Sequence, residues 1–378
     1  MRRPLRYVLI GSSLLAAVFS ACGGGSSSTS DGGDADVDTD TDTDTDVDTD
    51  TDSDTDTDTD TDTDTGEPTC WWEPMETGTS ALLGHIWGLS ASEVYTGGLD
   101  YSQKKGLVQL YDGVDWGTKW SFDDRSIGPV WGTDENNLFV VMSIHEWDGD
   151  DVVQIGGTIA HWDGASFTDT CDFGAWDLFG FSSDSLYAAG LKGRFYDGME
   201  WFLIYDQGNL PGEPEGSVHA VWGAAPDDVW FVGGKGDYEG FIMHYDGEEL
   251  TEIPTTAGLL QDIHGVSADE IYAVGNDYGG YEATVLKYDG SAWSTIGFFD
   301  DPEKYNALSG VWAAGNGEVF VAGHLFIYHY DGSDWEVFAV PEGNCPLYDV
   351  WGADQNSVFA VGGIQYGLSC ILKYTCPE

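Results

Sequence analysis

The sequence predicts an all-β protein, a seven-bladed β-propeller over residues 70–378 behind a disordered acidic linker. Three observations predict it. First, one pattern recurs seven times after residue 80: apolar-Trp-Gly, a polar turn, Val-aromatic-Val-Gly, a variable gap, apolar-Tyr-Asp-Gly and a Trp. Second, its anchors Trp87, Trp131, Phe179, Trp222, His264, Trp312 and Trp351 are spaced by 44, 48, 43, 42, 48 and 39 residues, with several short strand signals per unit. That period is the mark of four-stranded propeller blades. Third, the outer strand missing from the last repeat is present before the first one.

Each repeat yields strands in the same way. In the fourth, His219–Gly223 reads as the inner strand, then Val229–Gly233, Phe241–Tyr245 and Glu249–Ile253. β-Branched and aromatic residues fill them, and Gly, Asp, Asn and Pro punctuate them. The aromatic-Asp-Gly triplets begin at Tyr111, Trp162, Tyr196, Tyr245, Tyr288 and Tyr330. Asp-Gly accommodates positive φ at a tight hairpin turn.

The seventh repeat reaches Tyr374 with no outer strand after it. Trp72 precedes Trp87 by 15 residues, as Trp116 precedes Trp131. Residues 70–76 are therefore expected to pair with Leu372–Cys376 and complete blade seven, which removes an open edge. This places Cys70 beside Cys376, and we expect a disulfide there. Cys345 precedes the inner strand of blade seven and Cys370 opens its third strand, so they form a possible second bridge. Cys171 is left as a free thiol, although pairings among these three are not decided by sequence.

Residues 1–21 begin with Arg2, Arg3 and Arg6, continue in an apolar run and end at Ser20-Ala21 before Cys22. This reads as a signal peptide, too short for a stable membrane span. The small residues before Cys22 resemble the lipobox of bacterial lipoproteins, with Phe19 where that family usually carries Leu. The resemblance implies that Cys22 carries the lipid and tethers the protein to an outer membrane or cell surface. Residues 22–69 then form the linker: Gly/Ser followed by Thr-Asp dipeptides, with too little apolar surface to fold. Its Asp-x-Asp spacing suggests calcium. However, an EF-hand loop needs a Gly at its sixth position and a distal Glu, and Gly66 comes one residue late. Weak cation binding is the most this supports, and we expect no metal site or cofactor.

The chain carries 67 acidic and 13 basic residues. Seventeen Asp of residues 31–64, together with Glu67, leave 49 acidic residues against ten basic ones in 70–378. This charge excludes nucleic acid, whose phosphates need a cationic surface. It also disfavours an anionic lipid surface, so membrane contact is expected only through the lipid.

The repeated Trp residues read as wedge fillers between blades. His161, His244 and His329 share one repeat position before the hairpin, and His264 replaces an anchor Trp. Both patterns fit packing better than a metal cluster. No nucleophile elbow, His-Glu-x-x-His or phosphate loop is present.

Val221-Trp222-Gly223, Asp228-Val229-Trp230-Phe231-Val232-Gly233 and His244-Tyr245-Asp246-Gly247 resemble propeller repeats common in secreted lipoproteins of myxobacteria and their relatives. The resemblance covers residues 70–378 and implies architecture rather than activity. The hairpins also look a little like the Asp-box of sialidases. Here, though, Asp and Gly are adjacent, and the domain has only two Arg, Arg125 and Arg194, for the three that hold the sialidase substrate.

The turns between first and second strands and the Asp-Gly hairpins are uniform and belong to one face. The loops between second and third strands vary, and they belong to the other. Gly97–Gly106 and Ser143–Gly157 are the long ones. Variable loops on a constant scaffold carry recognition. Tyr101, Trp147, Tyr238, Tyr278 and Tyr281 are the candidate ligand-binding residues, expected to project together from that face. The function expected is a monomeric, non-enzymatic binding module for a glycan, peptide or protein. The alternatives are a carboxylate hydrolase acting on a glycan or phosphate ester, with or without calcium, and a passive surface protein.

Overall fold

A computed structural model describes residues 70–149, 151–206, 216–236, 239–276, 282–299, 307–341, 345–364 and 369–376. The expectations for the signal peptide, Cys22, the linker, Tyr238, Tyr278 and Tyr281 lie outside these residues.

Seven four-stranded antiparallel sheets form the ring. Six of them take their strands in chain order. Blade four, for example, is built from Ser217–Ala225, Asp228–Gly234, Gly240–Tyr245 and Leu250–Ile253. Blade seven takes Leu347–Gly352, Val358–Gly363 and Ser369–Thr375, and its outer strand is Trp71–Met75. Trp72 lies opposite Tyr374 and Met75 opposite Ile371, so the closure follows the expected pairing. The Cys70–Cys376 disulfide locks it, and a second bridge joins Cys345 to Cys370. Cys171 is a free thiol.

The second strands are buried on both faces because a blade lies on either side. Val229 through Gly234 and Ile271 through Asn276 are buried without a break. This explains their continuous apolar sequence. The anchors form an inner belt between blades. Ring centroids are 6.4 Å apart for Trp87–Trp131, 6.2 Å for Phe179–Trp222, 6.5 Å for Trp222–His264 and 6.2 Å for His264–Trp312. Burial pushes the His264 imidazole down to about 4, so the ring is neutral. Its Nδ1 accepts the Ala313 N–H at 3.2 Å, a bond that a Trp could not accept.

The uniform face is hairpin chemistry. In each Asp-Gly turn the Asp Oδ1 accepts the main-chain N–H groups two and three residues on, as Asp246 does from Glu248 at 3.0 Å and Glu249 at 2.7 Å. The Gly takes positive φ, +92° at Gly247. His161, His244 and His329 stack on Phe139, Trp230 and Phe320 at 4.4, 4.3 and 4.3 Å. Their Nε2 atoms face Asn137, Asp228 and Glu318. They are packing residues beside one polar partner each.

One expected loop is not a loop. Ser143–Gly157 belongs to two long strands, Asn137–Asp148 and Asp151–Trp162, which pair from Leu138↔Trp162 to Asp148↔Asp151. Their partners stop short. The inner strand Arg125–Asp134 begins opposite Ile144, and the outer strand Phe167–Asp169 reaches only Ala160. Blade two therefore extends as a two-stranded ribbon on the variable face. Gly97–Gly106 is likewise shorter than expected: Glu93–Asp100 and Lys105–Tyr111 leave only residues 101–104 as a turn.

Candidate functional site

The variable face is built differently at its centre and at its edge. At the centre, the inner strands present a sheet edge to the propeller axis, and edge N–H groups need acceptors. Blades one, four, five, six and seven bulge there by one residue, at Gly84, His219, Gln261, Ser309 and Tyr348. Three aspartates supply the acceptors. Asp177 accepts from Leu178 at 2.8 Å and, across the blade boundary, from Val221 at 2.9 Å. Asp262 does the same for Ile263 at 2.8 Å and Val311 at 2.7 Å. Asp349 serves Val350 at 2.8 Å and Ile86 at 2.9 Å.

Burial pushes the Asp177 carboxyl up to about 6 and that of Asp349 to about 7, while the N–H donors oppose the rise. Asp262 is raised well above the ordinary value, first by burial and then by the charges of Asp349 and Asp177. These groups are enclosed by protein but retain partial contact with the axial space. Each carboxylate is committed to two main-chain donors on two blades. Among the described residues no group of three metal-ligating side chains comes together.

At the edge, blades one and two meet in a corner that contains two of the expected site residues. Asp124 N–H donates to Lys104 O at 3.0 Å, and His145 N–H donates to Asp124 O at 2.9 Å. This chain stitches the turn of blade one to the ribbon of blade two. Lys104 and Asp124 hold it at φ of 55° and 54°, a left-handed conformation uncommon outside Gly. Lys104 Nζ donates to Gly149 O at 2.6 Å and lies 5.1 Å from the Trp147 ring centroid. Tyr101 meets Trp147 edge-on at 6.3 Å.

The structure thus brings Tyr101 and Trp147 together, but not as projecting anchors. Tyr101 is 9% exposed, and Trp147 is half-buried under Lys104. Both rings act as the clasp that holds the ribbon against blade one. Sequence reasoning passed over two other residues of the corner. Ser126 Oγ and His145 Nε2 are 2.9 Å apart. Arg125 Nη1, His145 Nδ1 and Trp147 Nε1 are buried without a protein partner. Burial lowers the His145 pKa, with Asp124 opposing.

A polar cavity of about 510 Å³ opens at the junction of blades seven and one, lined by Thr79, Asp100, Gln103, Lys105, Thr118 and Ser121. Burial pushes the Asp100 carboxyl up, but bonds from Ser102 and Gln103 outweigh it and the net shift is downward. That carboxylate organises its own turn, accepting Ser102 Oγ at 2.6 Å and the Gln103 N–H at 2.9 Å.

The ring places this chain among seven-bladed β-propellers. No family model matches it, and no curated protein matches it. Solved structures share the fold. YCF48 bound to D1 peptide matches at 13% identity with a TM-score of 0.54, over 81% of this chain and 95% of that one. The WD40 propeller domain of Doa1 matches at 10% identity and a TM-score of 0.56, over 82% and 98%. The extracellular domain of BT4673 from B. thetaiotaomicron matches at 14% and 0.53, over 79% of this chain and 39% of that one. At such identities the likeness is one of fold.

Proposed function

We propose that this protein is an extracytoplasmic interaction module, lipid-anchored at Cys22 to an outer membrane or cell surface, that binds a peptide or protein on its variable face. One observation carries the reading: the blades depart from one another on that face, while the opposite face repeats the same Asp-Gly turn. A propeller of the same fold, YCF48, is solved with a peptide bound, which supports peptide recognition. Two disulfides suit an oxidising compartment outside the cytoplasm. A glycan is the second ligand class that the Tyr- and Asp-rich loops would accept. The raised carboxylates at the axis are occupied by main-chain donors, which favours binding over hydrolysis.

Site-specific photocrosslinking tests this in the full-length protein. Crosslinkers at Gln103 and Val153 report the variable face; at Val114 and Met199 they report the uniform one. Val114 and Met199 are 74% and 84% exposed in hairpin turns. Discrete protein adducts from the first pair alone are expected. Adducts from the second pair alone, or from neither, would overturn the reading.

A further inference from the structure

We propose that the ribbon of blade two is a strand-addition site, and that an extended basic segment of a partner protein pairs with the outer edge of Asp151–Gly156. The proposal rests on the interaction-module reading and names the partner's chemistry.

The edge is open by construction. Thr170 N–H donates to Ile159 O at 2.9 Å and Thr158 Oγ1 to Cys171 O at 2.9 Å, and there the cover of the long strand ends. Gly174 approaches Gly157 closely enough that a Cβ on Gly157 would lie 2.7 Å from its N. Beyond Gly157, among the described residues, no strand pairs that side. The other side of the ribbon is closed by Asp124, Lys104 and Tyr101.

The direction of the free groups follows from the ladder. His145 turns its N–H away from the ribbon, toward Asp124. In an antiparallel pair the opposed residue does likewise, so Gln154, opposite His145, faces its main-chain groups outward, as does Val152 two residues on. Gln154 spends its Nε2 on Gly156 O, at 3.3 Å, not on its own main chain. An incoming strand would find main-chain donors and acceptors at the alternate positions Val152 and Gln154, the basis of strand addition, up to the bulge at Ile155 where the ladder shifts register.

The side chains state the occupant. Val153 and Ile155 are 41% and 61% exposed, giving alternate apolar contacts. Glu146, Asp148 and Asp151 are exposed on the same ribbon, within a chain of net charge −54. A second copy of this chain would oppose like charges; a segment alternating Lys or Arg with apolar residues would not.

The test uses the full-length protein and a labelled peptide of alternating Lys and Val. It is compared with the same peptide N-methylated on one edge and with its Glu-Val counterpart. We expect the Lys-Val peptide to bind, and each change to weaken it about tenfold or more. Val152→Pro removes one outward N–H and should weaken binding similarly. Ile155→Arg repels the peptide through a side chain that is 61% exposed, and an unchanged melting temperature separates its loss of binding from misfolding. Failure of the Lys-Val peptide to bind, equal binding of the three peptides, or wild-type binding by both variants would overturn the proposal. So would a concentration-dependent dimer that Val152→Pro abolishes, which would make the edge a self-pairing one. If crosslinking still marks the variable face in any of these cases, the interaction reading stands and only the edge is lost.

Discussion

Trp351 of blade seven rests on Gly88 of blade one: a Cβ added at Gly88 would lie 2.7 Å from Trp351 Cη2. The same contact joins Trp222 to Gly265 and Trp312 to Gly352, each at 2.7 Å. Trp87-Gly88, Trp222-Gly223 and Trp351-Gly352 are sequence neighbours, whereas Gly265 follows His264, and in each case the contact runs from one blade to the next. The Gly is small because the preceding blade's indole occupies the place of its side chain.

Gly88→Ala and Gly265→Ala should therefore destabilise the ring by about 1–3 kcal/mol through overpacking. Gly117→Ala is the control, because nothing lies within 4 Å of a Cβ there. Urea midpoints should fall for the first two and stay for the third. Equal midpoints would mean that the indoles shift freely.

The Cys70–Cys376 bridge spans 306 residues and Cys345–Cys370 spans 25. In the loop-entropy account, removing the first costs on the order of 5 kcal/mol and the second about 3–4. Ser replacements of each pair, measured by chemical denaturation, should rank in that order. The reverse order would show that the denatured chain is already restrained near its ends.

Stability should peak in mildly acidic solution. Asp177 and Asp349 have folded pKa values of about 6 and 7, above the ordinary 3.8. The folded state thus holds protons that the unfolded state has released, and their contribution is lost as pH rises through 6 and 7. The hairpin carboxylates have the opposite sign. Asp331 is held down to about 2 by main-chain and Ser333 donors, so its contribution is lost as pH falls toward that value. Melting temperature should be higher at pH 5 than at pH 8. Asp262→Asn removes one buried charge and one main-chain acceptor, so its deficit should be smaller at pH 8 than at pH 5. An equal deficit at both would show that the axial charges are solvated.

Trp147→Ala should loosen the ribbon more than the ring. Amides of 145–154 should exchange faster, while the global midpoint moves by about 1 kcal/mol or less, since the ribbon lies beyond the four-stranded sheet. A large global loss would place Trp147 in the cooperative core.

Cys22→Ser should move the protein from the membrane to the soluble fraction or leave its signal uncleaved. Unchanged membrane retention with normal cleavage would show that the anchor lies elsewhere.

The repeat by itself determined the ring, the blade count, the hairpins and the closing strand. These depend on local turn chemistry and on a periodic apolar pattern, which one chain displays in order. It also determined the pairing of Cys70 with Cys376, because closing the ring leaves them one place to be. The ribbon was legible only in Asp148-Gly149, a hairpin dipeptide; strand length beyond it depends on cross-strand partners that sequence does not display. Tyr101 read as a projecting aromatic and is buried, because its burial was decided by Trp147 arriving from the ribbon of blade two. Asp177, Asp262 and Asp349 carry no motif. Their role exists only where seven inner edges converge on one axis and leave main-chain N–H groups to be satisfied across blade boundaries. Contacts within a repeat can be read along the chain; those between repeats require the ring to close.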